Sequence, residues 1–279
     1  MASGVGVLHP GEMGSSVAAA VRAGGNRVLW ASEGRSPASV ARAAASQLED
    51  AKELGALLRE CEIVLSVCPP HAALAQAEAV AGLGFRGVYV DANAVAPASA
   101  RAIAQVARDA GAVFVDGGLI GPPARRPGTT RLYLCGSAAE EVAALFASGP
   151  LETLVFDGPE GSASALKMCF AAYTKGSTAL LAAVRALAQH EQVDDALVAE
   201  WTRSLPDLPA RSEASARATA GKAWRFVGEM EEIAASFAAA GLPDGFHRAA
   251  AELYRRLECY KDAPRPPSLE EITRALLAR

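Results

Sequence analysis

Close to its start the chain reads His9-Pro10-Gly11-Glu12-Met13-Gly14, directly after the apolar run Gly4 to Leu8 and directly before Ser15-Ser16-Val17-Ala18-Ala19-Ala20. A strand, a tight turn and a helix start in that order form the setting in which a dinucleotide pyrophosphate is held. Gly11 lets the backbone approach the phosphates, and Gly14 lets helix and strand pack closely. The helix N-terminus adds unsatisfied N–H groups and the positive end of its dipole. The first glycine of the G-x-G-x-x-G fingerprint is His9 here, so the pattern is x-x-G-x-x-G. An ordinary βα turn with two useful glycines is the plainer alternative, and the position between first strand and first helix favours the binding loop. Pro10, Glu12 and Met13 complete that loop, and His9 is expected to shape it or to meet the nicotinamide side rather than to catalyse.

At the end of the second strand stands Ser32-Glu33-Gly34-Arg35-Ser36. An acidic residue there bonds the ribose hydroxyls of NAD, whereas an arginine with small hydroxyl residues suits the 2′-phosphate of NADP. Ser32, Arg35 and Ser36 therefore favour NADP (NADPH) over NAD, with Glu33 left to solvent. After the third main strand, Cys68-Pro69-Pro70-His71 lies at the carboxyl edge of the sheet, where open α/β folds bind ligands, so Cys68 and Pro69 are expected to line the nicotinamide. The two prolines also explain the end of that strand without any ligand. Nothing in the sequence pairs Cys68 with a base, so no nucleophilic role is read into it.

The elements that must position these residues follow from periodicity. Short apolar or β-branched runs cover Gly4 to Leu8, Arg27 to Ala31, Ile63 to Val67, Gly87 to Asp91, Val113 to Asp116, Thr130 to Cys135 and Thr153 to Phe156. They alternate with Ala-rich helical stretches and are punctuated by Gly and Pro. That is the pattern of βαβ units, and it predicts an α/β fold: a Rossmann-type doubly wound sheet over residues 1–157. From 158 to 279 no further strand is expected, and an all-α domain follows. Its helices are placed at Ser162 to Gln189, Val193 to Ser204, Glu213 to Ala240 and Gly245 to Glu258, with a last short helix opened by the capping box Ser268–Glu271.

With 279 residues, 51% of them hydrophobic, the chain can bury two domain cores. A net charge of −4 supplies no positive field for nucleic acid or an anionic membrane. The five cysteines are odd in number, widely spaced and set in apolar runs, as reduced core thiols are, and no CxxC pair suggests a metal. No basic leader precedes the first apolar run, and no stretch of about 18 apolar residues occurs. The expectation is a soluble cytoplasmic protein acting on a small molecule, with neither nucleic acid nor membrane as partner.

The loop, together with Asp116-Gly117-Gly118-Leu119-Ile120-Gly121 and Gly158-Pro159-Glu160-Gly161-Ser162-Ala163-Ser164-Ala165-Leu166-Lys167, resembles the β-hydroxyacid dehydrogenase and 6-phosphogluconate dehydrogenase superfamily over most of the chain. The resemblance implies a cofactor loop at Met13-Gly14, a substrate-holding turn at Gly118, Leu119, Ile120 and Gly121, and a catalytic lysine at Lys167. It also implies a homodimer paired through the helical domain. The chain departs from the family pattern at Ile120, where a Ser is usual, and at Ala171, where an Asn usually lies one helical turn after the lysine. Asn93 takes the place of a Ser or Thr after the strand ending at Asp91, and is expected to face the nicotinamide or the substrate.

A lysine serves as general acid or base on a carbonyl or alcohol when burial brings its pKa towards neutrality. At about 100° per residue, Lys167, Ala171, Thr174 and Thr178 share one stripe of an otherwise apolar helix. Ala171 leaves room for substrate and Thr174 offers it a hydroxyl. A solvated surface ammonium is the plain alternative for any single lysine. The family motif and the turn before it place Lys167 instead in the crevice between the halves, beside the nicotinamide. Lys175, about 80° further round, is read as supporting or surface. Further candidates in the helical domain are Lys222, Arg225, Glu229 and His247, each equally explicable as a solvated or packed residue.

The reading is an NADP-dependent oxidoreductase transferring a hydride between nicotinamide and a hydroxy acid or related small carbonyl or alcohol. An imine reductase of the same architecture and a non-catalytic NADP-binding sensor are the alternatives. Lys167 argues against the first of these, because such relatives normally lack the family lysine.

Overall fold

The computed structural model describes residues 4–278, and the chain forms two compact units, Met1–Met168 and Cys169–Arg279. In the first, the strands β1 (Gly4–Val7), β2 (Val28–Trp30), β3 (Glu49–Asp50), β4 (Cys61–Ser66), β5 (Val88–Asp91), β6 (Val113–Ile120), β7 (Arg131–Cys135) and β8 (Glu152–Val155) make one sheet. Their order is β3-β2-β1-β4-β5-β6-β7-β8, parallel throughout except where β6 meets β7. The chain turns back at β1, with β2 and β3 on one side and β4 onward on the other. That switch point is where a doubly wound sheet opens a crevice for ligand.

Strands covered on both faces need apolar residues on both, and the two cores show it. On one face Val5, Val7, Ile63, Leu65, Val88 and Val90 pack with Val17 and Ala18 of α1 (Glu12–Ala23), Ala43 of α2 (Pro37–Ala45) and Val142 of α6 (Ala139–Ala144). On the other, Leu29, Val64, Tyr89 and Phe114 pack with Leu57 of α3 (Leu54–Glu60), Ala77 and Val80 of α4 (Ala73–Gly82) and Ile103 of α5 (Pro97–Asp109). Each fully buried Val or Leu contributes about 1.5–3 kcal/mol of transfer free energy, which fixes the sheet's position between the layers.

The helix α7 (Ser162–His190) begins in the first unit and continues into the second, which goes on through α8 (Asp194–Ser204), α9 (Leu208–Ala220), α10 (Ala223–Ala239), α11 (Gly245–Arg256) and α12 (Leu269–Leu277). Inside this unit the buried Arg185 bonds both carboxylate oxygens of Asp194 at 2.7 Å and the Ser212 hydroxyl at 3.0 Å, tying α7, α8 and α9 together. The capping box is formed: Ser268 accepts from the Glu271 N–H, and Glu271 accepts from the Ser268 N–H.

Three elements differ from expectation. The helix expected over Glu213 to Ala240 is two helices, broken at Gly221-Lys222, where Gly221 ends α9 and Pro209 has already opened it upstream. The edge strand β3 has two exposed residues and so no periodicity to read. The segment expected as a substrate-holding turn is strand as far as Ile120, because β7 pairs antiparallel with it from Asp116↔Cys135 to Ile120↔Arg131. The turn begins only at Gly121, whose φ of +125° suits glycine.

Candidate functional site

The glycine loop is shaped by two close approaches. A Cβ on Gly14 would lie 1.9 Å from the His9 carbonyl oxygen, so only glycine lets α1 start this near β1. A Cβ on Gly11 would meet nothing within 4 Å, so this backbone faces open space. Gly11 is also the N-cap of α1 and makes no side-chain capping bond. The loop therefore offers backbone N–H groups and a helix dipole to an anion, which is the fit a pyrophosphate requires. Ser16, one turn into α1, donates to the Met13 carbonyl at 2.8 Å and accepts from the Ala124 N–H at 3.0 Å.

Two arginines flank this loop. Arg35 donates through Nη1 to His9 Nε2 at 2.6 Å and through Nη2 to the Leu8 carbonyl at 3.1 Å. Burial, reinforced by the neighbouring guanidinium, lowers the His9 pKa to about 4, so its ring is neutral at ordinary pH. Since arginine only donates, Nε2 is the acceptor and Nδ1 carries the proton. His9 Nδ1 and Arg35 Nε are both buried and meet no protein partner, two donors aimed from the loop's flank. Arg42 of α2 donates through Nε to the Pro10 carbonyl at 3.0 Å and through Nη2 to the Ser39 hydroxyl at 3.2 Å. Sequence reasoning missed Arg42, although its place one helix after the loop was the available signal. Ser36 spends its hydroxyl as the N-cap of α2, accepting from Ser39 N–H, while Ser32 is hydrogen-bonded to Asp50. Glu33 is exposed.

At the carboxyl ends of β4 and β5 a buried polar knot replaces an open pocket wall. Asn93, 2% exposed, accepts the Cys68 N–H at 2.5 Å and donates to the Ser66 hydroxyl at 3.0 Å and to the Asp91 carboxyl. Its amide thus joins the ends of the two strands, and Cys68-Pro69 is held through the main chain. Burial pushes the Cys68 thiol up to about 11, so it stays protonated. Burial and then the nearby Asp116 charge raise Asp91 to about 8.

Lys167 sits in the second turn of α7, and its Nζ donates to the Leu119 carbonyl at 2.6 Å. Burial lowers its pKa from 10.5 to about 8. An ammonium bonded to one neutral carbonyl can lose its proton near physiological pH, which is the property a general acid or base needs. Gly118 faces the same helix: a Cβ there would lie 2.6 Å from the Ala163 carbonyl oxygen and 3.5 Å from Lys167 Cβ. Leu119 and Ile120 are buried and Gly121 is exposed. Ala171 is buried, and Thr174 turns its hydroxyl back to the Phe170 carbonyl at 3.0 Å.

In the second unit, Glu229 pairs with Lys175, each side chain about one-sixth exposed, and the Lys175 ammonium also lies over the Phe226 ring. Tyr254 donates to the Lys175 carbonyl at 2.7 Å. His247 is buried between Phe237 and Phe246. Arg225 and Lys261 stack on Trp224, and Lys222 is exposed. Among the described residues no helix is long and apolar enough to cross a membrane, and no group of three or more His, Cys, Asp or Glu is placed to hold a metal.

A doubly wound sheet with an open glycine loop at its switch point defines the class of Rossmann-type dinucleotide-binding proteins. Residues 4–147 match the NAD binding domain of 6-phosphogluconate dehydrogenase, and the chain belongs to that family. Residues 188–257 match a domain of unknown function, DUF1932. Among solved structures the chain is similar to MTH1747, a conserved protein of unknown function with structural similarity to 3-hydroxyacid dehydrogenases, at 26% identity and TM-score 0.69 over 92% of this chain and 97% of that one. It is also similar to 3-hydroxyisobutyrate dehydrogenase of Mycobacterium tuberculosis, at 15% identity and TM-score 0.73 over 100% of both chains. A third similarity is to a reductive aminase of Aspergillus terreus in complex with NADPH and ethyl levulinate, at 16% identity and TM-score 0.58 over 98% of both. No curated protein matches the sequence.

Proposed function

We propose that the protein is an NADP-dependent oxidoreductase acting on a hydroxy acid or a related small carbonyl or alcohol, with Lys167 as general acid/base. The observation that carries this reading is the buried Lys167 ammonium, held on the Leu119 carbonyl with its pKa lowered to about 8. The bound nicotinamide supplies or accepts the hydride. Gly11, Gly14 and the α1 N-terminus hold its pyrophosphate, with Pro10, Glu12 and Met13 shaping the loop. Arg35 and Arg42 take the 2′-phosphate, and Ser32 and Ser36 position the turn that presents Arg35. Cys68 and Pro69, held through the main chain by the buried Asn93, wall the nicotinamide side, while His9 keeps the Arg35 guanidinium in place. Lys167 holds a proton at the substrate oxygen, giving it up as a carbonyl becomes an alcohol and taking it in the reverse direction. Gly118, Leu119, Ile120 and Gly121 bound the space beside that amine, and Ile120 makes it more apolar than a serine would.

Similarity to a reductive aminase supports a second reading, reduction of an imine, in which Lys167 would protonate nitrogen. One experiment separates the two: NADPH with panels of hydroxy-acid-derived carbonyls, aldehydes and cyclic imines, followed by loss of reduced-nicotinamide absorbance. Turnover on the carbonyl panel is the expected result, turnover confined to imines selects the second reading, and binding of NADPH with no turnover on any panel overturns both.

The five cysteines are free, which fits the reducing cytoplasm. A homodimer is the proposed state. Leu166, Phe170, Tyr173, Leu180 and Leu187 are all exposed and recur along α7 with the spacing of a seven-residue repeat, an apolar seam suited to a second helix. Tyr173→Glu should convert a dimer to monomer in sedimentation velocity, and a parent protein that is already monomeric at every concentration would refute the seam.

A further inference from the structure

The strand β6 does more than border the lysine. Asp116, 1% exposed, sends its carboxylate to the first turn of α7: Oδ2 accepts the Ala163 N–H at 2.8 Å and the Ser164 N–H at 3.0 Å, while Oδ1 accepts the Ser164 hydroxyl at 2.7 Å. Three residues on, the same strand presents the Leu119 carbonyl that receives the Lys167 ammonium. The helix is thus gripped at two heights by one strand, and the Asp116 grip fixes its rotation about its own axis. A slip of one residue would turn Lys167 by about 100° and carry its amine off Leu119.

The charge state agrees with this geometry. The titratable groups facing Asp116 are Asp91, in register beside it on β5, Cys135, opposite it on β7, and Glu160 in the loop before α7. Asp116 receives three donors and the positive end of a helix dipole, whereas Asp91 receives the side-chain amide and the main-chain N–H of Asn93. Burial raises both carboxyls, and the hydrogen bonds from Ser164 and Ala163 in the first turn of α7 pull Asp116 back towards the ionised form that a helix N-terminus favours.

We propose that Asp116 is a positioning residue for Lys167, capping α7 from β6 so that the amine is held buried at the Leu119 carbonyl. This rests on the reading of Lys167 as the acid/base. The test is competitive acylation of amines across a pH series on the full chain, with peptide mass spectrometry reporting the apparent pKa of Lys167, which needs neither substrate nor cofactor. In the parent, Lys167 should titrate near 8. In Asp116→Ala it should rise by at least about one unit towards the ordinary lysine value of about 10.4, while Asp116→Asn, whose amide oxygen still accepts both N–H groups, should stay close to the parent. A helix merely stabilised by Asp116 would lower the melting temperature of the alanine variant without moving that titration, and this result overturns the proposal. If Asp116→Ala does not fold, Asp116→Val, which suits a strand and offers no acceptor to either N–H group, carries the test, a rise supporting the grip and an unchanged value refuting it. Should parental Lys167 titrate like a surface lysine, the acid/base reading fails instead.

Discussion

Lys167→Met should lower kcat on an identified carbonyl substrate by about 10²–10⁴-fold, the range that a single general acid supplies, with the dissociation constant for NADPH changed by less than about threefold, a change worth under about 1 kcal/mol. The methionine keeps the helix and much of the buried volume, so the loss reports the proton and not the fold. The pH profile gives the sign independently. With a pKa of about 8, the amine is mainly protonated below that pH, so carbonyl reduction, which consumes the proton, should fall as pH rises through about 8. Alcohol oxidation, which needs the free amine, should fall as pH drops through the same point. Both limbs should vanish in Lys167→Met. A variant that keeps full turnover removes Lys167 from the chemistry.

Arg35→Ala should weaken NADPH by about 10–100-fold, the equivalent of about 1.5–3 kcal/mol for a hydrogen bond to a charged group, and NADH by less than about threefold. The guanidinium has five donors, of which one goes to His9 and one to the Leu8 carbonyl, and its Nε–H is buried with no protein acceptor. A 2′-phosphate presents the oxygens that complete this set, and a ribose hydroxyl does not. Isothermal titration with each cofactor measures the split. Equal losses would mean that Arg35 supports the loop in general and that the preference for NADP has another source. Arg42, bonded to the Pro10 carbonyl, belongs to the same comparison: its loss should fall on NADPH as well, by a smaller factor, since both of its named bonds are already to protein.

Local signals carried the first half of the chain. The glycine loop needs only a strand, a turn and a helix in series, and Gly11 and Gly14 are interpretable because backbone approach depends on the absence of a Cβ at those positions. The capping box at Ser268 and Glu271 was readable for the same reason, since donor and acceptor are three residues apart. Where a role depends on a partner distant in sequence, the reading stopped short. Asn93 was expected to face a ligand, and in the fold its amide is engaged by Cys68, Ser66 and Asp91. Ser36 was assigned to a phosphate and serves α2 as its cap. Glu229 and His247 read from the sequence as solvated, packed or substrate-facing groups, and the fold sets Lys175 against the first and two phenylalanine rings against the second.

The sequence by itself determined the class of fold and the place of the glycine loop between first strand and first helix, because periodicity and glycine are properties of consecutive residues. Only the tertiary structure decided what Lys167 and Arg35 touch. The lysine's lowered pKa comes from burial against a strand 48 residues away in sequence, and the arginine's orientation from a histidine 26 residues before it. Desolvation and hydrogen-bond partnership are set by packing between elements distant along the chain, and no local pattern encodes which atoms that packing brings together.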